Sequence, residues 1–329
     1  MPLLISLPKR LTILLTRKTD CLKIQPQKSE TVMNSLIGKI KGVAYSEEMI
    51  AVDQAVRLKV MVFRQTLSKG KSPMVFVPGW VSSLSGWAAL IKPMAMERDV
   101  YYLETREKCS ALINDNALLT DNAFSIFQNA RDIIKVCDHF HINSPQTLAS
   151  GSSLGATSLL EAMKKGKLRC GGAFLVGPNS EFPAPKSISW ILSLPAFFYH
   201  PVKYFLLWYL RNFRVDAKKE PEQMKRYEET LKNVEPKRLK HTARSVIWGH
   251  YTVWSGLETI QVPVYIAYAA TDKLHSRENI QKMAEQLPYG KLHPCLTNLY
   301  MHSSHLLADI NTFEQNIRKG YKKKSGKLS

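Results

Sequence analysis

The fold is decided by the stretch Thr147-Leu148-Ala149-Ser150-Gly151-Ser152-Ser153-Leu154-Gly155-Ala156. It starts as a short apolar run and continues, past two glycines, into the helix-compatible residues Leu159-Leu160-Glu161-Ala162-Met163. This order predicts a strand that turns sharply into a helix. Gly151 and Gly155 stand two residues on either side of Ser153, where missing side chains would let the strand and the helix crowd together. Ser153 would then project from the turn.

A serine on such a turn is typical of a nucleophile elbow, provided that an imidazole and a carboxylate can reach it. The carboxylate candidate is Asp272, which ends the apolar run 260–270. The imidazole candidate is His305, which precedes the apolar residues 306–308. The three groups follow the chain order Ser, Asp, His.

The sequence resembles the α/β-hydrolase superfamily, and within it the esterase, monoacylglycerol lipase and lysophospholipase branch. The resemblance rests on three sequence motifs: Gly151-Ser-Ser-Leu-Gly155, Ala270-Thr-Asp-Lys-Leu274 and Tyr300-Met-His-Ser-Ser-His-Leu-Leu307. It covers roughly residues 56–310. It implies a mostly parallel central sheet flanked by helices, with an inserted helical cap, and with the acid after a late strand and the histidine after the last one.

The resemblance also implies a role for each site residue. Ser153 would be the nucleophile, His305 its base, and Asp272 the carboxylate that orients the imidazole. The pair Pro78-Gly79 stands where the family commonly has His-Gly, so the backbone N–H groups of Trp80 and Leu154 would form the oxyanion hole. These roles require neither a metal nor an organic cofactor.

Alternatives remain for each member of this set. His302 lies three residues before His305 in the same predicted loop. Glu181 follows an earlier strand, where some relatives place the acid. Ser153 alone would also suit a helix N-cap, and Gly79 an ordinary turn.

Other stretches predict the elements around the elbow. Residues 55–66 alternate apolar and polar residues as an early edge strand would. The short apolar runs 73–78, 100–106 and 171–178 predict buried strands, and residues 121–141 have helical periodicity. Strands that alternate with helices favour a largely parallel sheet, with catalytic groups at its carboxyl edge.

The chain divides by composition into four parts. We expect an N-terminal basic and apolar extension at 1–50, a catalytic body at 51–181 and 258–315, an inserted helical cap at 182–257, and a basic C-terminal tail at 316–329. The first half of the cap is rich in aromatic residues, but prolines, a histidine and a lysine interrupt it, which argues against a membrane span.

Charge and cysteine content indicate the surroundings. The 46 Lys and Arg residues exceed the 27 acidic residues, for a formal net charge of +19. Such a field would attract an anionic membrane surface, and no recognisable nucleic-acid module accompanies it. Five cysteines at irregular spacings fit a reducing cytosol. We therefore expect a cytoplasmic protein with possible peripheral membrane contact. The sequence does not indicate an oligomeric state.

These observations predict a serine hydrolase of the α/β-hydrolase fold that cleaves carboxylic esters through an acyl-enzyme. A monoacyl lipid, such as a lysophospholipid or a monoacylglycerol, is the expected substrate. The alternatives are a thioesterase or acyltransferase of the same fold, and a non-catalytic module that binds membrane surfaces.

Overall fold

The computed structural model describes residues 40–80, 82–115, 119–183, 235–272 and 275–325, together with residues 192–193, 195, 204, 207–208, 211–212 and 224. Most of the predicted N-terminal extension and most of the aromatic half of the predicted cap therefore lie outside the described residues. Within these residues, none of the helices combines the length and apolar composition that crossing a bilayer requires.

Nine strands of the described chain form one sheet in the order β1-β2-β4-β3-β6-β7-β8-β9, with β5 paired to β2. The strands are β1 (Val43–Ala51), β2 (Val56–Gln65), β3 (Met74–Val77), β4 (Val100–Leu103), β5 (Leu112–Ile113), β6 (Leu148–Ser152), β7 (Gly172–Val176), β8 (Val264–Ala269) and β9 (Gly290–Cys295). Pairing is antiparallel among β1, β2, β4 and β5, and parallel from β4 across to β9.

Helices cover both faces of the sheet, because parallel strands need crossover connections. The helices are α1 (Leu84–Ala95), α2 (Ile126–His139), α3 (Leu154–Met163), α4 (Pro236–Ile247), α5 (Arg277–Gln286), α6 (Asn298–Met301) and α7 (His305–Ser325). One apolar cluster contains buried residues of α2 and α3, and a second contains buried residues of α1 and α7. The predicted mostly parallel sheet flanked by helices is confirmed.

The predicted edge strand is the second strand of the sheet. The strand β2 is buried on both faces, with Val60 and Val62 in one apolar cluster and Met61 and Phe63 in the other. The edge position belongs to β1, which pairs with β2 along its whole length and carries charged residues in its middle.

Two predicted boundaries also differ from the observed elements. The sheet begins at Val43, inside the segment predicted as a separate extension ending at residue 50, because β1 pairs fully with β2. The last helix runs from His305 to Ser325, past the predicted start of the tail at residue 316. Packing explains its continuation, since Phe313 and Ile317 are buried against the sheet.

The turn between β6 and α3 is as tight as its glycines predict. Ser153 adopts φ 47° and ψ −118°, a conformation that a residue with a Cβ rarely takes. A Cβ on Gly155 would lie 2.3 Å from the carbonyl oxygen of Val77, and one on Gly151 would lie 2.6 Å from the same oxygen. The end of β3 therefore contacts both glycines, and the predicted crowding is confirmed.

A buried ion pair fastens α7 to the body. The Arg98 guanidinium, fully buried, lies 2.9 Å from Glu314 Oε2, and the backbone N–H of Ser72 donates to Glu314 Oε1 at 2.8 Å. Burial by itself would raise the pKa of Glu314, but the bond from Ser72 and the charges of Arg98 and Arg318 hold that pKa below its usual 4.5.

Replacing Gly155 with alanine should destabilise the protein, because the new Cβ would meet the backbone oxygens of Val77 and Pro78 at 2.3 and 2.4 Å. We expect the free energy of unfolding to fall by about 2 kcal/mol or more. Gly320→Ala is the control, since nothing lies within 4 Å of that position in α7. It should leave stability unchanged or raise it by up to about 1 kcal/mol. Urea titrations of the two variants compare them, and equal stabilities would contradict the crowding.

Replacing Glu314 with glutamine should leave the buried guanidinium of Arg98 without its counter-charge. We expect the free energy of unfolding at pH 7 to fall by about 3 kcal/mol. Because the pKa of Glu314 is lowered in the folded state, its contribution is complete above the unfolded pKa near 4.5 and is lost as pH falls below that value. The variant should therefore lose less stability between pH 5 and pH 3 than the wild type.

Chemical denaturation at several pH values measures this slope. Glu285→Gln, in the exposed face of α5, is the matched control and should keep the wild-type pH dependence. A Glu314→Gln protein with the wild-type slope would contradict the pair's role.

Candidate active site

Four loops meet at the carboxyl edge of the parallel strands. They follow β3, β6, β7 and β8, which are neighbours in the sheet. Parallel strands all end at the same edge, so polar residues that are distant in the chain come together there. The turn after β6 carries Ser153, and the loop after β8 carries Asp272.

A hydroxyl, an imidazole and a carboxylate form one connected set at this edge. His275 Nε2 lies 3.1 Å from Ser153 Oγ, and His275 Nδ1 lies 2.7 Å from Asp272 Oδ2. The side chains of His275 and Asp272 are only 11% and 6% exposed. The imidazole thus links serine and carboxylate through its two nitrogens, which is the geometry that general-base activation of a serine requires.

The imidazole in this set is not the predicted one. His305 starts α7, is exposed, and places Nδ1 3.1 Å from Ser303 Oγ, while its ring stacks on Tyr300. The expectation that His305 contacts Ser153 therefore disagrees with the structure. The physical reason is that the chain after β9 forms the short helix α6 and then α7, which keeps His305 on the surface.

The alternative histidine has a different position. The ring centroid of His302 lies 4.3 Å from that of Trp87, and its Nδ1 lies 3.0 Å from the carbonyl oxygen of Asn298. His302 is thus half-buried against α1 and tied to the first turn of α6.

His275 was missed because the family pattern directs attention to the loop after the last strand. The available signal was its position three residues after Asp272, in a loop that follows a buried strand. At that spacing one turn of chain can bring the two side chains together. The backbone N–H of His275 also points to Asp272 Oδ1 at 3.4 Å, which agrees with such a turn.

The loop after β7 supports the imidazole. Gly177 has φ +50°, and a Cβ there would lie 3.0 Å from Nδ1 of His275. Glycine at position 177 therefore leaves room for the ring in its observed place.

Glu181, the alternative acid predicted from the sequence, follows in the same loop with an exposed side chain. Asp272 is instead the carboxylate bonded to His275.

The same loop gives the serine a second partner. Ser153 Oγ lies 2.9 Å from Asn179 Oδ1, and Asn179 is held by Thr157, whose Oγ1 accepts from its N–H at 2.8 Å and donates to its carbonyl oxygen at 3.1 Å. Asn179 is not among the site residues predicted from the sequence. The available signal in the sequence was an amide side chain two residues after the buried glycine that follows β7.

The two residues expected to supply oxyanion donors flank Ser153. Leu154 is the first residue of α3, where backbone N–H groups have no acceptor within the helix and the helix dipole favours negative charge. Trp80 follows Gly79, and a Cβ on Gly79 would lie 3.3 Å from Cβ of Ser153. The loop after β3 therefore abuts the elbow.

Residues of the predicted cap segment cover this loop. The partly buried side chains of Trp80, Ile247 and Trp248 pack against Leu192 and Ala243. These five hydrophobic side chains form an apolar wall beside the loop after β3.

The helix α4 docks on the body through polar contacts as well. Arg244 Nε and His241 Nδ1 lie 3.0 and 2.7 Å from the carboxylate oxygens of Asp121. Arg238 Nη1 donates to the carbonyl oxygens of Lys108 and Ala111. Across the part of the chain that the structure describes, no three His, Cys, Asp or Glu side chains are grouped to hold a metal ion.

Several solved structures have the same fold. A hydrolase from Oleispira antarctica superimposes with a TM-score of 0.62 at 17% identity, covering 78% of this chain and 94% of its own. A putative lipase from Acinetobacter baumannii AYE gives 0.64 at 14% identity, covering 88% and 97%. A putative aryl esterase from Burkholderia cenocepacia gives 0.61 at 14% identity, covering 84% and 98%. At these identities the likeness shows the fold.

Comparison with curated proteins gave no significant match. The family model described as serine aminopeptidase, S33, an α/β-hydrolase family, matches residues 121–311, which is more than half of the chain. This range contains the elbow, the strand β8 and the loop after it. The chain therefore belongs to this family of α/β-hydrolases, and its membership of the family identifies it as a hydrolase.

Proposed function

We propose that the protein is a serine hydrolase that cleaves carboxylic esters through an acyl-enzyme, with Ser153 as nucleophile, His275 as general base and Asp272 as the carboxylate that orients it. One observation carries this proposal. Ser153 Oγ lies 3.1 Å from His275, and His275 lies 2.7 Å from Asp272. Ser153 itself stands on a strained strand-to-helix turn. Because His305 does not contact the hydroxyl in this arrangement, we assign the base to His275.

The proposed reaction begins with transfer of the Ser153 proton to His275 Nε2 as Oγ attacks the ester carbonyl. Asp272 stabilises the resulting imidazolium through Nδ1–H. The imidazolium then protonates the departing alkoxide, and water, deprotonated by the same nitrogen, releases the acid from the acyl-enzyme.

Asn179 bears on the first step, because the hydroxyl has one proton and two neighbouring acceptors. In the observed arrangement Oγ donates to Asn179 Oδ1. Rotation of the amide by half a turn would present its NH₂ group to Oγ instead, which directs the hydroxyl proton to His275. Asn179 would then hold the oxygen in line for attack.

The developing negative charge would be held by the backbone N–H groups of Leu154 and Trp80. Leu154 follows Ser153 at the positive end of α3, and Trp80 follows Gly79 in the loop after β3, which abuts the elbow. Donors fixed in advance stabilise a tetrahedral intermediate without having to reorganise during the reaction.

For the substrate we propose a monoacyl lipid such as a lysophospholipid or a monoacylglycerol. The apolar wall formed by Trp80, Leu192, Ile247 and Trp248 suits an acyl chain. In the predicted cap segment, the side chains of Tyr204, Trp208 and Arg211 are exposed.

These exposed side chains and the overall charge support peripheral contact with a membrane. Exposed aromatic and basic side chains together suit an anionic lipid surface, as does the formal charge of +19. Among the described residues, Cys109, Cys137, Cys170 and Cys295 form no disulfide bond, which suits the proposed cytoplasmic side of that surface.

Substitution of the histidines should identify the base. His275→Ala should lower kcat for ester hydrolysis by at least about 1000-fold, because Ser153 loses its proton acceptor. His305→Ala should keep kcat near the wild-type value, since that side chain is exposed and bonds to Ser303. Ser153→Ala should abolish both turnover and labelling by a fluorophosphonate probe.

Steady-state kinetics and probe labelling of the folded variants measure these effects, with circular dichroism as the check on folding. Loss of activity in His305→Ala together with an active His275→Ala protein would overturn the assignment of the base. Undiminished hydrolysis by Ser153→Ala would overturn the whole mechanism. A folded wild type that is never labelled would favour the non-catalytic membrane-binding module.

A series of acyl esters tests the substrate. We expect kcat/KM to rise from short to long monoacyl chains and to rise further with anionic vesicles. Thioesters of the same chains and aminoacyl anilides are the comparison set, the latter because the family model is described as serine aminopeptidase. Preference for short soluble esters with no vesicle effect would overturn the lipid proposal, and preference for the anilides would replace ester by amide cleavage.

Efficient transfer of the acyl group to an added alcohol, in place of water, would indicate an acyltransferase. Partition of product between free acid and new ester measures this directly. We expect free acid to predominate.

A further inference from the structure

A partly buried lysine outside the proposed triad contacts the loop that carries the proposed oxyanion donor Trp80. Lys108 Nζ donates to the carbonyl oxygen of Gly79 at 2.8 Å. Its side chain is 11% exposed. The carbonyl that it binds belongs to the peptide unit whose N–H is that of Trp80.

A peptide unit is planar, and in its trans form the C=O and N–H groups point in opposite directions. The described chain has no cis peptide bond. A bond that fixes the Gly79 carbonyl therefore also fixes the direction of the Trp80 N–H. Because the donor is an ammonium group in a poorly hydrated place, it also polarises the amide and strengthens the N–H as a donor.

Two contacts hold the ammonium group in place, one to the carbonyl oxygen of Gly79 and one to Glu107. Glu107 Oε1 lies 3.1 Å from Lys108 Nζ, and this carboxylate, 4% exposed, also accepts from Thr105 Oγ1 at 2.7 Å. The backbone from Thr105 to Lys108 forms a tight turn, because the N–H of Lys108 donates to the carbonyl oxygen of Thr105 at 3.0 Å. The lysine is thus fixed at its backbone and at its tip.

The helix α4 holds the same turn from the other side. Arg238 Nη1 donates to the carbonyl oxygen of Lys108 and, at 3.0 Å, to that of Ala111. Glu235, the N-cap of α4, lies 3.6 Å from Nε of Arg238. A continuous set of contacts therefore runs from the predicted cap segment through Lys108 to the peptide that precedes Trp80.

We propose that Lys108 is a positioning residue for ester hydrolysis, which fixes the Gly79–Trp80 peptide so that the Trp80 N–H faces the developing oxyanion, and that Arg238 keeps Lys108 in place. The inference rests on the proposed function. It assigns a role to two residues that touch neither the substrate nor the triad. Lys108 acts on charge that appears only in the tetrahedral intermediate, so its effect belongs to kcat.

Lys108→Met keeps the length of the side chain and removes the charge. We expect kcat to fall by about 10- to 100-fold, less than removal of a donor, which costs roughly 100- to 1000-fold. KM should change little. A trifluoromethyl ketone carrying the acyl chain of the substrate, which forms a tetrahedral oxyanion with Ser153, should lose affinity by the same factor as kcat. The matching methyl ketone should not lose affinity to that extent, because it stays largely uncharged.

Two further variants separate this role from a general effect on folding. Lys164→Met removes another buried lysine, which pairs with Glu161 at 2.7 Å, and should leave the ratio of the two ketone affinities unchanged. The double variant Glu107→Gln/Lys108→Met avoids leaving a buried carboxylate unpaired. It should fold if Lys108→Met does not, and it should show the same loss of kcat. Lys108→Arg, which keeps the charge, should recover part of the loss.

Arg238→Gln tests the contact from α4 and should lower kcat in the same way but less. Wild-type kcat in that variant would remove Arg238 from the inference.

The outcomes distinguish the inference from the function beneath it. The role of Lys108 is overturned if the wild type is labelled at Ser153 while a folded Lys108→Met variant keeps the wild-type kcat and the wild-type ratio of the two ketone affinities. The proposed hydrolase function would remain valid in that case. An equal loss of affinity for both ketones also overturns it, since that indicates general distortion. A wild type that is neither labelled nor active overturns both.

Discussion

The arrangement of the whole site depends on a contact between backbone atoms. The carbonyl oxygen of Val77, at the end of β3, lies only 2.6 and 2.3 Å from where a Cβ of Gly151 or of Gly155 would be. Since those two positions carry no side chain, the loop after β3 approaches the β6–α3 turn so closely that a Cβ on Gly79 would lie 3.3 Å from that of Ser153. A hydroxyl held in a strained turn and an amide placed beside it both follow from that approach. The neighbouring strands then add the loops that carry Asn179, Asp272 and His275.

Much of this could be predicted from the sequence, where the evidence is local. The elbow was recognisable because two glycines around a serine, between an apolar run and a helix former, satisfy a steric requirement that few other patterns meet. The buried strands were recognisable from apolar runs between turn residues. Strand β1 was not, since Glu47 and Glu48 interrupt its alternation, and its place at the edge is decided by pairing with β2.

The position of the imidazole shows where sequence reasoning stops. Two histidines after β9 fit the family pattern, but what decides between candidates is the distance from Ser153 across the sheet edge, which no local pattern contains. His305 is carried onto the surface by the start of α7, while His275 is brought to the hydroxyl by the loop after β8 and by the space that Gly177 leaves. The contact between Lys108 and Gly79 joins residues far apart in the chain, and was equally out of reach.

The carboxylate and the imidazole of the proposed triad belong to one short loop, since His275 stands three positions after Asp272 in the chain. Their mutual orientation is accordingly a property of a single peptide segment, and does not wait for distant parts of the polypeptide to assemble. The proposed triad therefore takes no side chain from the final strand or the terminal helix, so substitutions there would affect the site through the stability of the sheet, as at Glu314, and not by removing a reacting group.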